Sequence, residues 1–297
     1  MSLSILIPIY NRDVTLLVSS LARLISKEKM VGEIILLDDA SDDLYNNLNS
    51  KLAEGDFILY SRNEKNLGRD RTRQLLAQKA KYAHLLFLDC DVKIVRPEFI
   101  GAYSDQVKKN SSVCSGGLVY DENKPTDCKF KLHWKYGTKR ESKRNEKNEI
   151  FLLSNFLISK EIFLSIESTS PLEQYGHEDT LIGIELKKRN ISIHPIDNPV
   201  LHEGLEENSV FLKRSLLAVE NLVALEKKVG TACLAEHVKL YRWYRKFSTL
   251  LITGIIEKSE NIFHLSILKN LNSCNPNLNY FDWMRLAHLI RLKKRKP

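Results

Sequence analysis

The run Leu85-Leu86-Phe87-Leu88-Asp89-Cys90-Asp91 carries an apolar segment into two carboxylates spaced two apart. In extended chain such residues share a face, so Asp89 and Asp91 can converge on one cation, the alternative being an ordinary solvated strand end. A second pair, Glu178-Asp179, opens the helical pattern Leu181 to Leu186. Acidic groups in a first turn are favoured by the helix dipole, so capping and proton removal both remain open for them. Asp38-Asp39 and Asp42-Asp43 form a third acidic cluster, in which one of the latter two suits a helix cap. Arg69 and Arg73 are four apart and fall on one helical face close to an N-terminus, where anions are favoured; a solvated basic face is the other reading.

These residues need a scaffold that brings them together. Ser4 to Ile7, Glu33 to Leu37, Phe57 to Tyr60 and Leu85 to Leu88 read as strands, with helices expected over Val14 to Ile25 and Arg69 to Ala83. Alternating strands and helices imply a mainly parallel sheet covered on both faces, whose ligands bind beyond the carboxyl ends of the strands. Asn11-Arg12, Asp38-Asp39 and Asp89-Cys90-Asp91 each follow a strand and so share one rim.

With 297 residues, 43% of them hydrophobic, the chain can bury a large core. Lys and Arg number 45 against 37 acidic residues, a net charge of +8, which suits an anionic partner without choosing one. The five cysteines are scattered and include no Cys-x-x-Cys, so reduced thiols are expected, neither a disulfide framework nor a zinc site. Leu3 to Ile9 lacks a basic flank and suits a first strand better than a targeting segment, and Leu250 to Ile256 is too short to span a bilayer. A cytoplasmic protein is expected. Residues 139–149 are nearly all charged or polar with mixed signs and read as a solvated loop. Beyond Lys228 helical segments with clustered aromatics and cations take over, which places a boundary near Gly230, with domains 1–229 and 230–297.

Taken as a set, Ser4-Ile5-Leu6-Ile7-Pro8-Ile9-Tyr10-Asn11-Arg12, Leu37-Asp38-Asp39-Ala40-Ser41-Asp42-Asp43, Asn66-Leu67-Gly68-Arg69, Asp89-Cys90-Asp91, His177-Glu178-Asp179 and His202 occur in a familiar order. From Ser2 to Leu225 the chain resembles the inverting GT-A glycosyltransferases of family 2. Each motif alone is weak. Ala40 stands where that family usually has Gly, and Thr72-Arg73-Gln74 replaces its usual Ala-Arg-Asn.

The resemblance implies an α/β GT-A fold, a nucleotide-diphospho-sugar transferase with a Rossmann-like mixed sheet, here followed by a C-terminal helical extension. It implies that Pro8, Tyr10, Asn11, Arg12, Asp38, Asn66, Arg69, Arg73 and Asp89 face a nucleotide-sugar donor, most simply a UDP-sugar. Asp91, His202 and Asp89 would hold Mn²⁺ or Mg²⁺, the imidazole suiting Mn²⁺ somewhat better. Asp179 would remove the proton of the attacking hydroxyl while Glu178 binds acceptor hydroxyls, two roles that could be exchanged. Trp134 could stack on the acceptor sugar or pack in the core, and Asn155 borders the acceptor only by its place in the family pattern. The acceptor would be a glycan or a lipid-linked one.

A nucleotidyltransferase on a similar sheet would carry a Gly-rich phosphate loop where this chain has Pro8-Ile9-Tyr10-Asn11-Arg12. A basic nucleic-acid-binding protein would not need carboxylates at strand ends, so no nucleic-acid partner is expected. Tyr241 to Phe247 and Arg291 to Lys296 join aromatics to cations and suit peripheral contact with the inner face of a cytoplasmic membrane, or packing on the catalytic domain.

Overall fold

The computed structural model describes residues 2–28, 31–54, 57–109, 111–142, 152–166, 176–248 and 250–294. Most of the polar loop expected over 139–149, Tyr175 beside the Glu178-Asp179 pair, and Arg295-Lys296 lie outside the described residues. The chain packs as two compact units, one of Met1–Asp121, Glu141–Pro171 and Glu185–Gly204, the other of Glu122–Arg140, Leu172–Ile184 and Leu205–Pro297.

In chain order the first unit opens with β1 (Ser2–Ile9), α1 (Thr15–Lys27), β2 (Val31–Asp38), α2 (Asp43–Asn49), β3 (Ile58–Arg62), α3 (Arg69–Lys79), β4 (His84–Leu88), β5 (Val92–Ile94), α4 (Phe99–Lys108), β6 (Val113–Ser115) and β7 (Leu118–Val119). α5 (Lys131–Tyr136) lies in the second unit, before β8 (Asn155–Ser159) and α6 (Lys160–Ser165) return to the first. α7 (Glu178–Lys188) begins in the second unit and ends in the first, which closes with β9 (His194–Pro195) and β10 (Val200–His202). α8 (Asn208–Val229), α9 (Thr231–His237), α10 (Lys239–Lys246), α11 (Leu250–Leu271) and α12 (Leu278–Lys294) complete the second unit.

A seven-stranded sheet runs β3-β2-β1-β4-β8-β6-β9 and a three-stranded one β5-β10-β7. β3, β2, β1 and β4 are parallel, whereas β8 runs antiparallel to both β4 and β6, so the large sheet is mixed. The apolar runs Ile5 to Ile7, Ile34 to Leu37 and Leu85 to Leu88 are buried along their whole length, as strands covered on both faces must be. This is the GT-A arrangement expected.

Three boundaries and the state of two cysteines depart from expectation. Pro8 does not end β1, which runs on to Ile9: β4 pairs with β1 only over Ser4 to Leu6, so at Pro8 the ladder runs to β2 alone. α3 stops at Lys79 instead of Ala83, because the amides of Lys81 and Tyr82 donate to Glu33 Oε1 at 2.6 Å and Ser4 Oγ at 3.2 Å. Gly230, at φ 82°, breaks the helix between α8 and α9 but divides no core. Leu222, Val223 and Leu225 of α8 share one buried cluster with Leu234, Tyr241, Ile256, Leu286 and Ile290, so α8 packs with the helices that follow it. Finally, Cys128 and Cys274 form a disulfide with Cα atoms 4.4 Å apart, while Cys90, Cys114 and Cys233 are free thiols. The pair is 146 residues apart, a separation no local spacing pattern reveals.

Candidate active site

The small sheet brings Asp91 and His202 together. β5 begins directly after Asp91 and runs antiparallel to β10, with His202 opposite Val92, so the imidazole emerges one step from the carboxylate. His202 Nε2 stands 3.5 Å from Asp91 Oδ2, and the Glu203 amide donates to the Asp91 carbonyl at 2.8 Å. Gly204 completes the corner, since a Cβ there would sit 2.4 Å from Asp91 Oδ2. The Tyr120 ring lies 4.9 Å from that of His202, and its hydroxyl donates to Glu141.

Burial alone would push the Asp91 carboxyl up, but the His202 hydrogen bond and charge, then Arg69 and Arg12, outweigh it and hold it well below the usual range. Burial would lower His202, yet Asp91, Glu141 and Asp89 raise it above an ordinary histidine. Glu141 is raised, chiefly by its own burial. Tyr120 and Glu141 escape sequence reading, since neither stands in a motif and Glu141 lies inside the polar stretch read as a solvated loop.

A cation would find a carboxylate and an imidazole converging here, backed by a glycine that leaves no room for a side chain. The donor set suits a divalent ion whose other positions are filled by phosphate and water oxygens. Asp89, also expected at the metal, is paired with an arginine. Its Oδ1 accepts from Arg73 Nη2 at 2.6 Å, with the Arg73 side chain 4% exposed. Asp89 and Arg73, both expected on the donor side, form an ion pair between α3 and the end of β4 in which Arg73 is buried and Asp89 partly so. Alternation along a strand places Asp89 beside Asp91, and here a buried guanidinium also meets the Asp89 carboxylate. Among the described residues no group of three or more His, Cys, Asp or Glu is placed to hold a metal.

The turn after β2 is built by carboxylates. Asp38 is fully buried; Oδ1 accepts from the Ser41 amide at 2.7 Å, and Oδ2 has no hydrogen-bond partner among the described residues. Asp39, placed on the rim by the sequence but given no role of its own, receives Asn63 Nδ2 and the Leu67 and Gly68 amides at 2.8–2.9 Å, and so fixes the loop before α3. Asn66 Oδ1 also accepts from the Gly68 amide, at 3.1 Å. Ala40 sits at φ 62°, the left-handed region where glycine is at ease, which is the physical content of its departure from the family pattern. Asn11, at φ 48°, donates its amide to Ser41 Oγ and accepts from the Asp42 amide, each at 2.8 Å, joining the two strand-end turns. Tyr10 is 51% exposed beside it, and Pro8 is buried.

Asn155 is not at an acceptor surface. It is buried, accepting from Tyr103 Oη at 2.6 Å and donating to the carbonyls of Gly117 and Asn198 at 3.0 and 2.9 Å. A Cβ on Gly116 would lie 2.2 Å from the Tyr103 hydroxyl, so this junction requires glycine.

In the second unit, Glu178 and Asp179 start α7. Glu178 Oε1 accepts from the Gly176 amide at 3.2 Å and Asp179 Oδ1 from the Thr180 amide at 2.7 Å, so the capping role is present. His177, at φ 71°, turns the chain into the helix, its Nδ1 3.1 Å from Thr180 Oγ1. Trp134 is partly buried in α5.

The family model of glycosyl transferase family 2 matches residues 4–166. The chain belongs to glycosyl transferase family 2. That match carries β1 to α6, with the turns holding Asp38, Asp39, Asp89 and Asp91, whereas Glu178, Asp179 and His202 lie beyond it. Membership answers the choice against a nucleotidyltransferase. Among solved structures similar to this glycosyltransferase is the mannosyltransferase PcManGT from Pyrobaculum calidifontis in complex with GDP-Man and Mn²⁺, at TM-score 0.56 and 11% identity over 99% of this chain and 86% of that one. S. aureus TarS 1-349 in complex with UDP matches at TM-score 0.55 and 18% identity over 99% and 90% of the two chains. The same TarS segment with UDP-GlcNAc matches at 0.52 and 15% over 100% and 92%. At these identities the likeness is one of fold. No curated protein matches the chain in sequence.

Proposed function

We propose that this glycosyltransferase is a metal-dependent, inverting enzyme that moves a sugar from a nucleotide-diphosphate donor, a UDP-sugar first among the candidates, to a hydroxyl of a glycan or lipid-linked acceptor. The observation that carries the reading is the corner formed by Asp91 and His202 at strand ends in a family 2 fold. The similar structures bind GDP-Man with Mn²⁺, UDP, and UDP-GlcNAc, which makes nucleotide sugars the donors to try.

Held by Asp91 and His202, Mn²⁺ or Mg²⁺ would neutralise the negative charge that builds on the leaving diphosphate. Arg12 and Arg69, whose charge already reaches Asp91, add positive potential for the same phosphates. The Asp38 to Ser41 turn, with Tyr10 exposed beside Asn11, receives the nucleoside. Asp179 takes the acceptor proton while the acceptor oxygen bonds to the anomeric carbon, and the bond to the diphosphate breaks on the opposite side; inversion follows. Glu178 binds acceptor hydroxyls.

A thermal-shift panel of nucleotide sugars with Mn²⁺ tests the donor, since a ligand bound only by the folded state raises Tm. One nucleotide sugar should stabilise the protein in Mn²⁺ and lose most of that effect in excess EDTA or in His202→Ala. Full transfer activity in EDTA would sink the metal assignment.

A further inference from the structure

α11 presents an unusual outward face. Leu251, Ile255, Ile262 and Leu265 follow one another at 4, 7 and 3 residues, which stacks them in one stripe, and Ile252 and Phe263 flank it. Leu251, Ile262 and Leu265 are 77%, 66% and 81% exposed. The remaining exposed positions among the described residues of the helix are Lys258, Asn261, Ser266 and Lys269. Its two carboxylates face the other way: Glu260 is buried against Arg291 and Glu257 holds Lys294, both on α12. The outward face therefore carries six large apolar side chains, two lysines and no acid.

The charge pattern continues in the helix that precedes it along the chain. On α10, just before α11, Lys239, Arg242, Arg245 and Lys246 are exposed. The basic end of α12 differs, because Arg291, Lys293 and Lys294 are paired with Glu260, Glu226 and Glu257. The C-terminal cations that looked suited to an anionic surface are thus engaged inside the unit, at least as far as Lys294.

We propose that the outward face of α11 lies in the headgroup layer of an anionic lipid bilayer, with the α10 cations reaching lipid phosphates. No described helix is long and apolar enough to cross a membrane, so the helix rests in the interface plane. A second copy of the chain fits this face less well. Pairing two such stripes would enclose Lys258 and Lys269 with no carboxylate to answer them, whereas on a bilayer their stems lie along the acyl boundary and their ammonium groups reach the headgroups. This inference concerns location alone and is independent of which sugar is transferred.

Sedimentation of the full chain with vesicles of phosphatidylcholine, or of phosphatidylcholine with one quarter phosphatidylglycerol, tests it without any transfer reaction. Binding to the acidic vesicles is expected, weakening with salt, and little binding to the neutral ones. The triple change Ile255→Ser, Ile262→Ser and Leu265→Ser should weaken binding at least ~10-fold with Tm unchanged, because none of these side chains is part of the core. Lys258→Gln and Lys269→Gln should each weaken it about five-fold. Should the triple variant fold poorly, Leu265→Ser alone should still lower binding measurably. Acidic-vesicle binding untouched by these changes would overturn the proposal, as would absence of binding by the unmodified chain. A concentration-dependent dimer that the triple change dissolves, with no vesicle binding, would assign the face to a second copy.

Discussion

The acidic groups of the two units are held in different ways. In the first unit three carboxylates of the strand-end rim have partners in other elements or loops: Asp39 holds Asn63 and Gly68, Asp89 holds Arg73, and Asp91 meets His202. In the second unit Glu178 and Asp179 accept amides two residues back and one residue on. Partners distant in sequence tie elements together, so a rim carboxylate cannot turn without loosening the framework. A carboxylate that accepts from an amide of its own turn can exchange that bond for a substrate hydroxyl at small cost, which suits groups that must release and take a proton.

The contrast is most exposed to test at Asp179. Asp179→Asn keeps the helix start but removes basicity, so turnover should fall by ~10²–10⁴ while nucleotide affinity and Tm hold, measured by initial rates and thermal shift. An active Asp179→Asn variant would pass the role to Glu178. Arg73→Met should behave in the opposite way, destabilising the fold by about 3–5 kcal/mol in urea titration because it strands Asp89 in a mostly buried place. Adding Asp89→Leu to that variant should restore much of the loss, which marks the pair as structural. Gly204→Ala forces a methyl against Asp91 and should cost about 1–3 kcal/mol while abolishing Mn²⁺-dependent stabilisation by nucleotide. Smallest is Ala40→Gly: relief of the left-handed strain, about 1 kcal/mol, is partly offset by the greater freedom of glycine in the unfolded chain, leaving Tm level or slightly raised.

What could be read from sequence followed local rules. The buried strands announce themselves as unbroken apolar runs, and the strand-end motifs fall on one rim because a parallel sheet leaves its ligands nowhere else. The Asp91 and His202 corner was accessible only through the resemblance, since 110 intervening residues separate its members and a three-residue strand pair joins them. The fates of Asp89 and Asn155 were hidden for the same reason. Each looks like a site residue by position and has a buried partner, Arg73 or Tyr103, that periodicity does not point to. Asp39 sat in plain view, but a carboxylate that gathers backbone amides leaves no mark in spacing. The division between units was likewise invisible, because the second is assembled from three separate stretches of chain.

The bond between Cys128 and Cys274 acts on that patchwork as a topological ring. It encloses the chain segments that build β8, α6, β9 and β10 of the first unit, although both cysteines belong to the second. A single proteolytic cut anywhere between the two cysteines therefore severs the backbone without parting the molecule. Nicked protein should migrate as one species on a denaturing gel without reductant and as two fragments with it.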